Sequence, residues 1–333
     1  MAPRRFPILF VAPSRVGDAV LASGLVRTLR EEIPEARFTF AASALTAPLF
    51  AEVPGLARLL VVEKRRFGRH WVDLWAATRG KPWGLVVDLR GSRLAAVLRP
   101  RRRAVHRPAS GAVHKVVEAA RLLKLEATPP APFIFTSQET RARAAALCAG
   151  EGPILAVGPA SNWIGKAWPA ERYARLARAL LDEEGPLAGG RLMVVGGPGD
   201  RHAAAPALLA VPRDRLIDLV GRADLLTVHA ALAHARLYVG ADSGLMHLAA
   251  AAGAPTLGLF GPSDERLYAP WGEQTAVVRG PRPFEAFLAA DPRLDQALCH
   301  MMDLKLETVF DAAAALIERT RAVEPDAKES NAA

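Results

Sequence analysis

The stretch Tyr238–Gly261, YVGADSGLMHLAAAAGAPTLGLFG, decides the fold that we predict for this chain. An apolar run ends at Val239 and is followed by a glycine-flanked turn, Gly240–Gly244, and then by an alanine-rich segment. The alanine-rich segment reaches Gly253, and glycine favours the left-handed conformation that ends many helices. A second apolar run of strand length, Thr256–Phe260, comes next. The stretch therefore predicts a buried strand, a sharp turn, a short helix and a second strand.

The turn between this strand and this helix is typical of a phosphate site. The start of a helix leaves backbone N–H groups without partners, and the positive end of the helix dipole lies beside them. Ser243 can cap the helix or contact a ligand through its hydroxyl, and Gly244 lets a ligand approach the backbone closely. His247 follows Ser243 by four residues and so lies on the same helix face. A capped turn with a core histidine explains the same residues equally well.

Strands and helices alternate along the rest of the chain. Further runs of strand length are Phe6–Ala12, Arg37–Ala42, Leu59–Val62, Leu85–Leu89, Ile154–Val157 and Leu192–Val195. Helical segments separate these runs, which predicts parallel sheets with helices on both faces. One such segment follows the first strand and reaches Leu29, and the last helix is predicted over Leu306–Ala322.

Prolines 129, 130 and 132 and a weaker periodicity up to Pro153 predict a domain boundary near residue 150. We therefore predict two α/β domains, residues 1–150 and 151–322, that face one another across a cleft. Residues 323–333 form a polar tail.

Composition limits the class of protein. Half of the 333 residues are hydrophobic, which is enough for two cores. The two cysteines, Cys148 and Cys299, cannot form a disulfide framework, and a reducing, cytosolic setting is the simpler interpretation. The N-terminal apolar run Ile8–Ala12 is too short for a signal peptide, and no apolar run of about eighteen residues predicts a membrane span.

Positive charge is concentrated in the first half of the chain. Residues 1–150 contain 25 Lys and Arg against 11 Asp and Glu, whereas the remaining residues contain 18 against 23. The densest clusters are Lys64–Arg66 with Arg69, and Arg99–Arg103 with Arg107. Such a basic half indicates an anionic partner, such as nucleic acid, a membrane surface or an acidic sugar. Arginine is also common in alanine-rich proteins that have no such partner.

Three loops at predicted strand ends carry polar groups, and open α/β sheets bind ligands at the carboxyl ends of their strands. These groups are Ser14, Gly17 and Asp18 in the first loop, Lys166 in the second, and Asp242 to His247 in the third. Structural interpretations compete with functional ones here, because an aspartate at a helix start is most often a cap and most lysines are solvated. No segment has the GxxxxGK[ST] pattern, and Gly196–Gly199 does not match GxGxxG. The histidines lack a zinc-like spacing, so no metal site is predicted.

Several of these segments resemble the signatures of one family. Ser14–Asp18 (SRVGD), Lys166–Pro169 (KAWP) and Asp242–Ala250 (DSGLMHLAA) resemble the three signatures of glycosyltransferase family 9, the ADP-heptose:lipopolysaccharide heptosyltransferases. Gly261–Asp264 extends the third signature, and Cys299–Asp303 is similar to the closing segment of the family. The sequence DSGLMH is most similar to the motif of those members that add the second heptose of the inner core. The resemblance spans almost the whole chain in the expected order.

The resemblance implies an α/β fold of the GT-B type, with two Rossmann-like parallel-sheet domains and a last helix that returns to the first domain. The first domain would bind the acceptor, and the second domain would bind the nucleotide sugar. Transfer would invert the anomeric centre without a bound metal or another cofactor. The implied partners are an ADP-sugar donor and the anionic lipopolysaccharide core at the inner membrane surface, with no nucleic acid. A cytoplasmic monomer, peripheral on that membrane, fits these partners.

The resemblance also implies roles for individual residues. Asp18 would be the catalytic base that takes the proton of the acceptor hydroxyl. The donor and its diphosphate would be bound by Lys166, Asp242, Ser243, Gly244 and His247. The acceptor would contact Ser14, Gly17, Arg65 and Arg101. The basic first half agrees with an anionic acceptor.

Three alternatives to this interpretation remain open. Some members place a glutamate before the third signature where this chain has Asp224, so another nucleotide sugar or acceptor is an alternative. A non-catalytic nucleotide-binding relative is the second alternative, and an α/β oxidoreductase is the third. Turnover of a nucleotide sugar separates the first of these from the second, and binding of nicotinamide or flavin tests the third.

Overall fold

The computed structural model describes residues 5–108, 111–294 and 297–321, and the predicted tail lies outside them. The chain divides into two compact units, each of which contains one parallel sheet. The first unit runs to Arg143 and includes Asp224–Ala230, and the second contains Ala144–Ala223 and the chain from Ala231 onward. The division therefore falls before residue 150, because a helix that begins at Gln138 continues through the junction. The prediction of two Rossmann-like parallel sheets is confirmed.

The sheet of the first unit has five strands in the described residues. They are β1 (Phe6–Val11), β2 (Ala36–Ala42), β3 (Leu56–Val61), β4 (Leu85–Asp88) and β5 (Arg102–Val105). The strand order is β3-β2-β1-β4-β5, and every neighbouring pair is parallel. The chain builds outward from β1 to one side and then returns to the other side of it. The strand order therefore reverses between β1 and β4, which is the position where such sheets bind ligands.

The sheet of the second unit has six strands in the described residues. They are β6 (Ile154–Gly158), β7 (Arg191–Val194), β8 (Leu216–Asp218), β9 (Ala235–Ala241), β10 (Thr256–Phe260) and β11 (Thr275–Arg279). Their order is β11-β10-β9-β6-β7-β8, again with parallel pairs throughout. The reversal of strand order lies between β6 and β9. Each unit thus has its own switch point.

Thirteen α-helices occur in the described residues. Those of the first half are α1 (Val16–Leu21), α2 (Gly24–Glu32), α3 (Arg69–Thr78), α4 (Leu94–Leu98), α5 (Lys115–Ala120) and α6 (Gln138–Leu147). Those of the second half are α7 (Ala170–Leu181), α8 (Arg201–Leu208), α9 (Leu225–Leu232), α10 (Gly244–Ala251), α11 (Glu265–Tyr268), α12 (Phe284–Ala290) and α13 (Leu306–Arg321). No described helix combines the length and the apolar character that a bilayer span requires.

The stretch that decides the fold has the predicted structure. Its first strand is β9, its helix is α10, and its second strand is β10. Tyr238 and Val239 are completely buried, and Gly253 has a φ of +81°, which favours glycine over any residue with a side chain. This part of the prediction is confirmed.

The helix predicted after the first strand is two helices, α1 and α2. The hydroxyl of Ser23 donates to the carbonyl oxygen of Val20 at 2.6 Å and accepts from the backbone N–H of Phe133 at 2.9 Å. Such side-chain bonds compete with the helical pattern and end α1 at Leu21. The predicted apolar face survives the break, since Leu25 and Leu29 are buried in α2.

The position of the last helix corrects the prediction that it returns to the first domain. Val309, Ala313, Leu316 and Ile317 of α13 are buried in the hydrophobic core of the second unit. These residues form one helical stripe at a spacing of three and four residues, which packs against the apolar face of the second sheet. Arg236 fixes the end of the helix by donating to the carbonyl oxygen of Ile317 at 2.6 Å.

Strand β5 was not predicted, because its sequence was interpreted as part of a basic cluster. The strand contains Arg102 and Arg103, both exposed, and it lies at the edge of the first sheet. Charged side chains on an edge strand oppose pairing with another chain. Part of the basic cluster therefore has a structural role.

Candidate active site

Two loops at the carboxyl edge of the second sheet meet at its switch point. The loop after β6 leads to Lys166, and the loop after β9 begins with Asp242. Because β6 and β9 are neighbours, the two side chains meet, and Lys166 Nζ lies 3.1 Å from Asp242 Oδ2. The side chain of Lys166 is 20% exposed and that of Asp242 is 10% exposed. The sequence placed these two residues in one donor site, and the structure brings them into an ion pair.

Asp242 is ionised in a buried position. Burial raises the pKa of this carboxyl group, but the His247 imidazole, the Lys166 ammonium and the Ser263 hydroxyl together lower it to about 2. His247 Nε2 lies 3.7 Å from Asp242 Oδ1, so this contact is longer than an ordinary hydrogen bond. The arrangement therefore places the negative charge of Asp242 and the positive charge of Lys166 at the carboxyl end of the strands.

Helix α10 begins beside this ion pair without a side-chain cap. Ser243 is the N-cap residue in an extended conformation, but its hydroxyl makes no capping bond. Within the described part of the chain, Ser243 Oγ and His247 Nδ1 are buried and have no hydrogen-bond partner. Buried polar atoms without protein partners are uncommon, and ordered water or a bound molecule can supply the missing partner. The structure therefore lacks the side-chain cap that the alternative interpretation of this turn requires.

Tyr238 is a buried residue of β9, the strand that precedes this helix start. A Cβ atom at Gly158 or at Gly240 would collide with the Tyr238 hydroxyl, so both positions require glycine. The hydroxyl thereby reaches the carboxyl edge of the sheet near Ser243. Burial raises the pKa of Tyr238, which keeps its hydroxyl protonated as a donor.

The closing segment, Cys299–Asp303, and the following Leu304 hold the loop that carries Lys166. The backbone N–H of His300 donates to the carbonyl oxygen of Gly165 at 3.2 Å. Cys299 Sγ lies 3.1 Å from the carbonyl oxygen of Ala167. The indole N–H of Trp168 donates to the carbonyl oxygen of Leu304 at 2.9 Å. Lys166 is therefore fixed by contacts on both sides of it in the sequence.

A residue that the sequence reasoning missed supports the third loop. Arg279, the last residue of β11, donates to the carbonyl oxygen of Ser263 at 2.6 Å and also to that of Gly261. Arg279 forms an ion pair with Glu265 as well. These contacts position the Ser263 hydroxyl that helps to keep Asp242 ionised. The only signal in the sequence was an arginine at the end of an apolar run.

The predicted acceptor residues Ser14, Gly17 and Asp18 lie at the carboxyl edge of the first sheet, directly after β1. Ser14 is exposed, and its carbonyl oxygen accepts a hydrogen bond from the Ser43 hydroxyl at 2.9 Å. Gly17 and Asp18 are partly exposed in the first turn of α1. The N-cap of α1 is Arg15, so Asp18 does not occupy the capping position that the alternative interpretation assigned to it. Asp18 lies beside the switch point of the first sheet.

A turn after β4 adds groups that the sequence reasoning missed at this edge. Asp88 is completely buried and accepts hydrogen bonds from the backbone N–H groups of Arg90 and Ser92, each at 2.9 Å. Burial raises the pKa of Asp88 despite these bonds. The Arg90 guanidinium lies over the Trp71 ring, 4.7 Å from its centroid. The position after a predicted strand was the signal that could have identified this turn.

The structure separates the two arginines predicted to contact the acceptor. Arg65 follows β3 at the carboxyl edge, where its guanidinium lies 3.1 Å from Asp73 Oδ2. Arg101 precedes β5, and its backbone N–H donates to the carbonyl oxygen of Trp83. Arg101 is therefore at the amino edge of the sheet, opposite to Asp18. The structure brings Arg65, but not Arg101, to the same edge as Asp18.

Two further observations concern the donor side. Within residues 5–108, 111–294 and 297–321, no group of three or more His, Cys, Asp or Glu residues is arranged to hold a metal ion. Asp224 caps helix α9, since its carboxylate accepts from the backbone N–H and from the hydroxyl of Thr227, each at 2.9 Å. Asp224, the residue at which the sequence departs from the resemblance, thus has a structural role here.

Comparison with known proteins agrees with this geometry. A sequence profile of Glycosyltransferase family 9 (heptosyltransferase) matches residues 74–292. Lipopolysaccharide heptosyltransferase 2 of Salmonella typhimurium is 26% identical over 309 residues, which span 82% of this chain and 87% of the relative. The structure of E. coli ADP-heptose LPS heptosyltransferase II has a TM-score of 0.73 at 21% identity and covers 95% of this chain and 100% of that chain. E. coli heptosyltransferase WaaC with ADP has a TM-score of 0.67 at 18% identity, over 93% and 100% of the two chains. The fold is thus of the GT-B type, and the chain belongs to glycosyltransferase family 9 as a glycosyltransferase enzyme.

Proposed function

We propose that this glycosyltransferase transfers a heptose from ADP-heptose to the inner core of lipopolysaccharide, as a heptosyltransferase of the second type. The observation that carries the proposal is the partly buried Lys166–Asp242 ion pair at the uncapped start of α10. Such a site suits a diphosphate, because a cation lies near a helix start whose first backbone N–H groups have no partner within the helix. The names of the similar proteins supply the sugar and the acceptor class: one is a lipopolysaccharide heptosyltransferase 2, and another was solved with ADP.

On the donor side, Lys166 and the start of α10 stabilise the diphosphate as it departs. Negative charge on the leaving group grows in the transition state, and a preorganised cation in a partly buried site stabilises it strongly. Asp242 holds the Lys166 ammonium in place, and Ser243, Gly244 and His247 complete the donor site. Donor binding is thus assigned to the second domain.

On the acceptor side, Asp18 acts as the general base. Its carboxylate takes the proton from the acceptor hydroxyl while the hydroxyl oxygen attacks the anomeric carbon. The bond from the anomeric carbon to the diphosphate oxygen breaks in the same step, ADP leaves, and the configuration inverts. Ser14 and Gly17 flank Asp18 and contact the acceptor, and Arg65 attracts its anionic groups.

The same proposal places the enzyme in the cytoplasm as a monomer that is peripheral on the inner membrane, with no nucleic-acid partner. ADP-sugars and the lipid-linked acceptor are both available at that surface. The two free cysteines, Cys148 and Cys299, are consistent with a reducing compartment.

The test is ADP release from ADP-heptose in the presence of lipopolysaccharide truncated at successive core positions. We expect release with an acceptor that ends at the first heptose and little release with an acceptor that has no heptose. UDP-glucose in place of ADP-heptose is the donor control. Binding of ADP-heptose without release on any acceptor would support the non-catalytic alternative, and turnover of another nucleotide sugar would replace the proposed donor.

A further inference from the structure

A second basic site lies at the amino edge of the first sheet, away from all the groups assigned to catalysis. It is a pocket of about 610 Å³ where β1, β2 and β4 begin, with Trp83 and Gly84 in its wall. Arg5, Arg37, Lys81 and Arg101 line it together with one carboxylate, Glu35. The pocket is of the size that small ligands occupy in proteins. Strand β1 has six residues, so this edge is about 17 Å from the carboxyl edge that carries Asp18.

The four cations of this pocket are not neutralised by the protein. Among the described residues, none of the four side chains forms an ion pair or a hydrogen bond, and all four residues are exposed. Other cations of the chain do have acidic partners, for example Arg201 with Asp218 and Arg266 with Asp264. Four like charges around one concavity repel one another, and a bound anion would remove that repulsion.

The backbone around the pocket is held in place. The indole N–H of Trp83 donates to the carbonyl oxygen of Thr78 at 2.9 Å, and Trp83 is 2% exposed. The Lys81 ammonium lies 5.6 Å from the centroid of the Trp83 ring, and the backbone N–H of Arg101 donates to the carbonyl oxygen of Trp83 at 3.0 Å. The start of β1 is tied to β2 by a bond from the Phe6 N–H to the Glu35 carbonyl oxygen. The cations therefore extend from a fixed frame.

We propose that this pocket is a second anion site that binds a phosphate-bearing group, separate from the donor and acceptor sites. Arginine binds phosphate through paired N–H donors, and three arginines with one lysine can hold two phosphoryl groups at once. A free polyphosphate and the headgroup of an anionic phospholipid offer the same chemistry. The proposal does not depend on which sugar the enzyme transfers.

The first test is local and uses the unaltered protein. Acetylation of Lys81 is followed by mass spectrometry with and without inorganic pyrophosphate, and exposed Lys305 of the second unit serves as the internal reference. At pyrophosphate concentrations about ten times the dissociation constant, acetylation of Lys81 should slow about tenfold while that of Lys305 is unchanged. Because the readout is at Lys81 itself, binding of pyrophosphate at the donor site does not affect the conclusion.

The second test identifies the source of the phosphate. The double variant Arg37→Gln/Arg101→Gln is compared with Arg175→Gln/Arg213→Gln, which removes the same charge from exposed positions of the second unit. Both proteins are floated with phosphatidylcholine vesicles that contain or lack phosphatidylglycerol. If the control and the wild type float with the anionic vesicles and the pocket variant does not, the ligand is a lipid headgroup. If none of them floats but pyrophosphate protects Lys81 only when the pocket is intact, the ligand is a soluble phosphate. Lys81 that neither pyrophosphate nor vesicles protect, or equal protection in the pocket variant, would overturn the proposal.

Discussion

The carboxyl edges of the two sheets have the same topology but differ in how far their polar groups are assembled. Both sheets reverse their strand order beside their first strand, and both place an aspartate there. In the second unit Asp242 is paired with Lys166, and the loops around it are held by the closing segment and by Arg279. In the first unit Asp18 and Arg65 are partly or largely exposed. The edge proposed to bind the donor is thus preorganised, whereas the residues proposed to bind the acceptor are more open to solvent.

Two buried aspartates show what decides the charge at a strand end. Asp88 and Asp242 both lie at the carboxyl end of a central strand, and burial acts on both in the same direction. The pKa of Asp88 is raised, because hydrogen bonds from Ser92 and Arg90 do not offset its burial. The pKa of Asp242 is lowered to about 2, because His247 and the Lys166 ammonium outweigh the burial. The contact with His247 and the charge of Lys166, rather than the depth of burial, keep Asp242 ionised.

The prediction with the largest expected effect concerns Asp18, at the more exposed carboxyl edge of the first sheet. Asp18→Asn should leave a folded protein that binds ADP-heptose but has lost about a hundredfold or more in kcat, because the amide cannot accept the acceptor proton. Single-turnover rates and calorimetry with ADP-heptose measure the two properties separately. Glu126→Gln is the control, since it removes one exposed carboxylate from the same unit.

Asparagine has the size of aspartate, and loss of one charge from the first turn of α1 costs only about 0.3–1 kcal/mol of stability. An Asp18→Asn protein with a nearly normal kcat on the true acceptor would therefore show that the carboxylate serves only α1. The donor side would then carry all of the assigned chemistry.

The second prediction tests the assembled side. Lys166→Ala should weaken ADP binding and slow transfer by roughly ten- to a thousandfold, since one preorganised charge is removed from the leaving group. Calorimetry with ADP and steady-state kinetics measure the two effects. Lys305→Ala removes one exposed lysine from the same unit and should change neither. Unchanged ADP affinity with unchanged turnover in Lys166→Ala would remove this residue from the site.

The sequence predicts the second edge better than the first, and the reason is local. Ser243, Gly244 and His247 belong to one turn and one helix, so spacing alone places them together. The Lys166–Asp242 pair depends on the neighbouring positions of β6 and β9, which the resemblance supplied but spacing did not. Arg279 and Ser263 meet through two parallel strands that are separate in sequence. No periodicity indicates such a contact.

The first edge was harder to predict because its charges look alike in sequence. Arg65 and Arg101 both lie in dense basic clusters, but strand topology places them at opposite edges of one sheet. Strand β5 was concealed by its arginines, and without that strand the direction of Arg101 cannot be assigned. The predicted packing of α13 on the first domain was also wrong. An apolar helical stripe shows that a helix is buried, but it does not show which sheet the helix packs against.

The third prediction uses the lowered pKa of Asp242. Its pKa falls from an ordinary 3.8 to about 2 in the folded protein, so the ionised carboxylate stabilises the fold above about pH 4. This contribution, on the order of 2 kcal/mol, is lost as the pH falls toward 2. Asp242→Asn should therefore lower the free energy of unfolding at pH 6, and its difference from wild type should shrink on acidification. Urea denaturation at several pH values measures the difference. A difference that is independent of pH would show that His247 and Lys166 do not stabilise the ionised carboxylate.

The prediction with the smallest expected effect compares one arginine from each of the two basic clusters of the first unit. Arg65 is at the carboxyl edge and its side chain is 65% exposed, so its attraction for an anionic acceptor is screened by salt. Arg65→Gln should raise the acceptor KM about two- to fivefold at low ionic strength, the size typical of one exposed charge, and should reduce the salt dependence of that KM. The KM for ADP-heptose should not change.

Arg101→Gln is the control, because it removes the same charge at the opposite edge, and it should leave both KM values as they are. Initial rates over a range of salt concentrations compare the two variants. Equal effects on the acceptor KM would mean that the acceptor responds to the overall charge of the first unit rather than to the edge that carries Asp18.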